Sequence, residues 1–281
     1  ANLSASAIDA TTAILTWDAT VGSDYRLRFR ESGTTSWTAS NLTTNSLSLD
    51  SLTPEATYEV QVRANCSTGN TPYSAIVNFT TTAIMYCDAA SADTSEEYIS
   101  NVTLNDGTND IIDNDSGANT LGYEDFTAIN ASIKQGATFS ISITKEWPGT
   151  NYDEAIGVWI DYNRDGSFDG VNEEVFIQAG NQITPVIENN LTIPLDATLG
   201  ETRMRVIMRY QVTPEACGNF DYGQVEDYTL TILPASTDYV YDNGFWTPQD
   251  PSGIATIDDN IQVLSGTTAL TANTFINNVT L

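Results

Sequence analysis

Side chains that change character at every residue limit this chain more than any single motif does. In Tyr25-Arg26-Leu27-Arg28-Phe29-Arg30 three large apolar groups interleave with three arginines. That period of two puts the apolar set on one face of an extended strand and the charged set on the other. The rhythm returns in AILTW at 13–17, TYEVQVRA at 57–64 and AIVNFTTT at 75–82, each run closed by Gly, Asn, Asp, Ser or Pro. Farther along, ATFSISI, AIGVWIDY, NLTIPL, TRMRVIMRY and DYTLTIL are strand-like runs set between similar turn signals, and Leu-rich helical stretches are missing. The expected fold class is all-β. Two tandem β-sandwich (Ig-like) domains are predicted over residues 1–83 and 84–233, followed over 234–281 by the start of a solenoid-like or extended β-rich segment.

The chain has 281 residues, enough for two or three modules. Its 37 acidic residues against 10 basic ones leave a net charge of -27. A field of that sign repels phosphate backbones and anionic lipid and attracts divalent cations, so nucleic-acid binding is excluded from the expected functions. No run approaches the roughly 20 apolar residues that span a bilayer, and no membrane insertion is expected. The sequence enters strand-like character at Ala1 and stops in mid-pattern at Leu281, so a piece of a longer chain is expected.

Histidine is absent. That removes the commonest general base, the Ser-His-Asp arrangement and most zinc-enzyme sites. Carboxylates are too numerous to single out a pair for glycoside hydrolysis, and no Gly-rich stretch sits in the strand-to-helix context that cradles phosphate. The chain is expected not to be an enzyme.

Residues 159–174, WIDYNRDGSFDGVNEE, carry the best-specified candidate site. Oxygen donors recur at Asp161, Asn163, Asp165, Ser167 and Asp169, with Gly166 where the chain must turn. Calcium takes about six to eight such oxygens. Position twelve of a calcium loop falls on Asn172, so the closing carboxylates, Glu173 and Glu174, come late in the pattern. The flanks GVWIDY and EVFIQA are strand-like, which makes this a loop between strands and not a helix-flanked sensor. Calcium is the expected cofactor, with Asp161, Asn163, Asp165, Ser167, Asp169, Glu173 and Glu174 as its expected ligands. The competing reading is a hydrophilic Asp/Asn/Gly turn.

Two resemblances extend this reading. Trp17, Tyr25, and Leu52-Thr53-Pro54 leading to Tyr58 resemble a fibronectin type III domain and its tyrosine corner. A second set runs from Tyr86-Cys87 through Trp159-Ile160-Asp161, Asn163, Asp165-Gly166, Phe168, Ile193-Pro194 and Thr202-Arg203-Met204-Arg205-Val206. It ends with Cys217-Gly218 and Gly223-Gln224-Val225-Glu226-Asp227-Tyr228, and it resembles the GEVED domain. The chain departs from that family's eponymous motif at Gln224, where the family has Glu.

The resemblance implies β-sandwich modules of large secreted and surface proteins of Bacteroidetes-type bacteria, exported by the type IX pathway. It supports a disulfide between Cys87 and Cys217, which stand near the two ends of the second segment. Cys66 is then left either to a cysteine upstream of Ala1 or to a buried thiol.

The function these observations predict is a non-enzymatic structural or adhesive segment of an extracellular, cell-surface protein, assembling into fibres. Its expected partners are neighbouring modules, copies of itself and surface glycans or other cells. The alternative is an accessory substrate-binding or spacer region of a secreted hydrolase. Trp37, Trp147 and Trp246, beside turns, are read either as junction plugs or as sugar-stacking rings, whereas Trp17 and Trp159 are expected in the core.

Overall fold

The computed structural model describes the chain except residues 1, 21–23, 67–68, 119–120, 182–183, 237, 248–249, 253–258, 269–277 and 281. Among the described residues the regular structure is strand throughout, in several sheets of which none closes into a barrel. Two compact units emerge: Ala1–Cys87 with Arg164–Ser167, and Asp88–Asn163 with Phe168–Leu281.

The first unit contains β1 (Ser4–Ser6), β2 (Ala13–Thr16), β3 (Asp24–Glu31), β4 (Thr38–Leu42), β5 (Ser46–Leu49), β6 (Thr57–Cys66), β7 (Gly69–Asn70) and β8 (Val77–Thr80). One sheet runs β1-β2-β5 and the other β4-β3-β6-β7, with β8 also on β6. Period-two alternation decides what faces inward: Ala13 and Leu15, Tyr25 and Leu27, and Tyr58, Val60 and Val62 share one core with Trp17 and Phe79. The Tyr58 hydroxyl accepts the Thr53 amide at 2.8 Å, fastening the strand to the turn that precedes it. On the opposite face of β3, Arg30 pairs with Glu59 at 2.7 Å, Arg28 donates to Gln61 Oε1 at 2.6 Å and Arg26 to Asn41 Oδ1 at 3.3 Å. The guanidinium groups of Arg28 and Arg30 each lie 4.4 Å from the Trp37 ring, which is half-buried. The arginine stripe is thus met largely by polar and aromatic partners of its own unit.

The second unit contains β9 (Ala89–Asp93), β10 (Tyr98–Asn105), β11 (Asp110–Asn114), β12 (Tyr123–Lys134), β13 (Thr138–Glu146), β14 (Glu154–Ile160), β15 (Glu174–Asn181), β16 (Val186–Thr192), β17 (Gly200–Tyr210) and β18 (Gly218–Leu233). A four-stranded sheet runs β11-β10-β13-β16, and a six-stranded one runs β12-β18-β17-β14-β15 with β9 on β18. Their inner faces meet in one core that includes Ile99, Leu104, Ile141, Ile143, Val158 and Met204. Two features place the chemistry. Strand β14 is buried at every position, which is why AIGVWI reads as a continuous apolar run and not as an alternation. Strand β18, 16 residues long, takes β9 along its first part and β12 along its second, both parallel to it.

The remaining strands of this unit are β19 (Asp238–Asp242), β20 (Phe245–Thr247), β21 (Asn260–Val263) and β22 (Asn278–Thr280). Asn243 and Gly244, both at positive φ, turn β19 into antiparallel β20. Strand β21 lies parallel to β19, and β22 parallel to β21, the stacking that successive coils of a solenoid adopt. Most of TALTAN and TFINN falls outside the described residues.

Candidate functional site

The loop joining β14 to β15 treats its acids unequally. Asp161 and Glu173 are buried, Asn163, Asp165, Asp169 and Glu174 are exposed, and Ser167 is half-buried. Strand β17 pins the start of the loop: the Asp161 amide donates to the Arg203 carbonyl at 3.1 Å, and the Thr202 hydroxyl donates to the Asp161 carbonyl. Glu173 folds back, its Oε1 accepting the Asn163 amide at 3.2 Å and its Oε2 the Gly170 amide at 2.8 Å. Asp165 Oδ1 accepts the Ser167 amide at 2.8 Å in a local turn. Glu174 already belongs to β15, in register with Trp159, so of the two late carboxylates Glu173 is the one turned into the loop. Among the described residues no three acidic, thiol or imidazole side chains converge as a metal-holding group. The donors are oxygen throughout, which fits a hard cation in chemical type.

The Gly223-Gln224-Val225-Glu226-Asp227 segment lies on β18 and is a buried polar layer. Gly223 sits at a φ of 124°, where an added Cβ would lie 2.0 Å from the Met208 carbonyl oxygen, so glycine is required there. Gln224 Oε1 accepts the Ile99 amide at 2.8 Å, and its Nε2 donates to Glu124 Oε2 at 2.8 Å. A glutamate at 224 would instead set one carboxylate against another in a buried place. The departure from the motif is therefore matched by Glu124, and the position reads as architecture. Asp227 receives a two-pronged contact from Arg205, Nε to Oδ1 at 2.7 Å and Nη2 to Oδ2 at 2.8 Å. Arg203 and the Tyr123 hydroxyl add donors to Oδ2 at 3.0 and 3.1 Å. Arg205 also donates to the Ala216 carbonyl at 2.8 Å and lies 5.1 Å from the Phe168 ring. One guanidinium thus joins the motif strand, the acidic loop and the residue beside Cys217.

Glu226 is the uncomfortable member of this layer. Its Oε2 accepts from Tyr228 at 2.6 Å, but its Oε1 is buried with no hydrogen-bond partner. Burial raises its carboxyl from the ordinary 4.5 to about 7, against the pull of the Tyr228 and Ser116 hydroxyls and with the nearby Glu124 charge adding to the rise. The folded protein therefore holds this proton where the unfolded chain has released it, and stability falls as pH climbs from about 4.5 to about 7. Glu226→Gln should remove that slope. Relative to wild type, the variant should gain up to about 3 kcal/mol between about pH 4 and about pH 8.5, read as a melting-temperature difference that grows with pH. A difference independent of pH would show that Glu226 is ionised throughout.

Cys87 and Cys217 form the disulfide, with Cys66 half-buried and outside it. Trp17 and Trp159 are buried, whereas Trp147 and Trp246 are half-buried, the latter packed on Tyr241 with centroids 5.0 Å apart. Period-two reasoning passed over the buried Glu97, Lys145 and Glu154. A usable signal existed for Glu154, which abuts the continuous apolar run of β14 and shares its full burial.

Comparison with known proteins agrees with this architecture. Residues 1–80 match the family model of the fibronectin type III domain, and residues 155–231 that of the GEVED domain. The chain carries a fibronectin type III domain followed by a GEVED domain. Similar solved structures include a myokine, 24% identical, with 29% of this chain and 93% of that one covered at a TM-score of 0.28. A computationally redesigned β-sandwich protein is 26% identical, with 30% and 93% covered at 0.28. The FN5 domain of Drosophila Lar is 19% identical, with 29% and 92% covered at 0.26. No curated protein matches the chain. The two module types, with an internal disulfide, are those of a modular extracellular protein and are typically non-catalytic. Among the described residues no helix is long and apolar enough to cross a membrane.

Proposed function

We propose that this chain is a non-enzymatic structural and adhesive segment of a large bacterial cell-surface or secreted protein, exported by the type IX pathway, whose modules or copies assemble into fibres. The observation that carries the reading is the tandem of a fibronectin type III and a GEVED module, with a covalent tie between Cys87 and Cys217. Sandwiches of this kind resist extension because their sheets share a core, and a bridge over a long loop resists it further. A net charge of -27 makes copies repel one another, so side-by-side assembly calls for counter-cations. Calcium is the proposed one. The loop at 161–174 offers it the carboxylates of Asp161, Asp165, Asp169 and Glu173 and the oxygens of Asn163 and Ser167.

Electron microscopy of the whole chain in calcium, repeated after adding a chelator and with Asp165→Ala, tests both parts. Ordered assemblies in calcium that fray on chelation, and that the variant does not form, are the expected result. Dispersed particles in calcium would overturn the fibre. Assemblies indifferent to both chelator and substitution would remove calcium from the reading.

A further inference from the structure

Away from the acidic loop, the second unit carries a cleft of about 340 Å³ lined by Glu96, Glu97, Tyr152, Tyr210 and Tyr222. Its walls are aromatic and meet at right angles. The Tyr152 and Tyr210 rings are 5.7 Å apart at 83°, and Tyr210 and Tyr222 are 6.1 Å apart at 87°. The sheet register explains part of the gathering, since Glu154 on β14 pairs with Tyr210 on β17, and Tyr152 lies two residues before Glu154 in the segment that leads into β14. Rings set edge to face form a corner of π-surfaces around a small guest, and not the flat platform on which a sugar ring stacks.

Two acids of this region are buried. Glu97 is 2% exposed, and its Oε1 is buried without a hydrogen-bond partner. Glu154 is fully buried, and burial and the Glu97 charge push its carboxyl up to about 8 against the pull of the Trp147 indole and the Lys145 charge. Lys145, also buried, donates to the Glu154 main-chain carbonyl at 3.4 Å and lies 5.2 Å from the Trp147 ring. A buried carboxylate without donors is expensive, and a cationic group that brings N–H bonds relieves it.

We propose that this cleft binds a primary alkylammonium group, of the kind a lysine side chain carries, with Glu97 accepting its N–H bonds and Tyr152, Tyr210 and Tyr222 enclosing its charge and first methylenes. Tyrosine faces attract cations, and the cleft is at the small end of ligand sites, about the size for one headgroup and a short stem. The unpartnered oxygen selects a donor-bearing ammonium over a quaternary one. Burial, followed by the Glu96 and Asp93 charges, raises the Glu97 carboxyl to about 7, so a cation that binds there stabilises the ionised form.

Calorimetric titration of the whole chain with n-butylammonium at about pH 8, against tetramethylammonium and sodium at equal ionic strength, tests this. Saturable binding of butylammonium, about tenfold or more tighter than tetramethylammonium, is expected. Glu97→Gln should abolish it without lowering the melting temperature, because a neutral amide replaces a strained acid. Tyr222→Ala, at a residue 45% exposed, should weaken it about tenfold in a chain that still folds. Absence of binding, equal binding of the two ammonium ions, or retention of binding by Glu97→Gln would each overturn the assignment. Displacement of butylammonium by calcium one for one would give the cleft to a metal instead.

Discussion

Replacing Asp227 by asparagine is expected to lower the melting temperature of the second unit by on the order of 10 °C. Asp227 is fully buried and Arg205 is 2% exposed, so their two-pronged contact is shielded from water. Two charges in such a place offset their lost hydration chiefly through each other, with Arg203 and Tyr123 adding to Asp227 and the Ala216 carbonyl to Arg205. Removing one takes the two-pronged acceptor from a buried guanidinium, and breaking a buried pair in this way costs about 3–5 kcal/mol. In a unit this large each kcal/mol corresponds to about 2–4 °C. Because Arg205 also reaches the Ala216 carbonyl and the Phe168 ring, the loss should spread to the acidic loop. Replacing both partners with apolar residues, Arg205→Met with Asp227→Leu, should recover most of the stability, since the isolated charge is what destabilises. Thermal melts of the three variants decide the matter. A drop of less than about 1 kcal/mol for Asp227→Asn would show that Arg205 is satisfied without the Asp227 charge, and no recovery in the double variant would show that Arg203 and Tyr123 also depend on Asp227 as their acceptor.

Reduction of the Cys87–Cys217 bridge is the second large effect. The bond closes a loop of roughly 130 residues, and loop-closure entropy assigns it on the order of 4–5 kcal/mol. The ladder that follows it has hydrogen bonds of its own. The Gly218 amide donates to the Asp88 carbonyl at 2.8 Å, and β9 continues in parallel register along β18. A strong reductant, or Cys87→Ser with Cys217→Ser, should therefore lower the melting temperature by about 10 °C or more while leaving the strand content by circular dichroism unchanged at 25 °C. An unchanged melt would mean that the β9–β18 ladder alone holds that end of the module. Loss of strand signal at 25 °C would mean that the bridge is a condition of folding.

The alternation in Tyr25-Arg26-Leu27-Arg28-Phe29-Arg30 determined β3 and which of its faces is buried, because side-chain direction along a strand follows from covalent geometry alone. The resemblance of Leu52-Thr53-Pro54 and Tyr58 to a tyrosine corner is met by the Thr53 amide donating to the Tyr58 hydroxyl at 2.8 Å, a contact between residues close in sequence. The acidic loop was legible as a loop between strands with oxygen donors at alternate positions. That Glu173, and not Glu174, turns inward was not legible, because it depends on where β15 begins its register with β14. Gln224 looked like a lapse in a motif until Glu124 arrived beside it from a strand parallel to β18, about 100 residues distant in sequence.

The same holds for the polar interior and the cleft. Arg205 with Asp227, and Glu154 with Tyr210, are brought together by cross-strand register, and Tyr222 comes beside Tyr210 from the next strand. Sequence by itself determined the all-β class, the inward faces of alternating strands such as β3 and the acidic surface, since these are set by neighbours one or two residues away and by net charge. Which carboxylates are buried with a partner and which without one was decided only by the tertiary structure. The energy of a buried charge depends on the groups and the solvent around it, and those arrive from strands that no local pattern can pair.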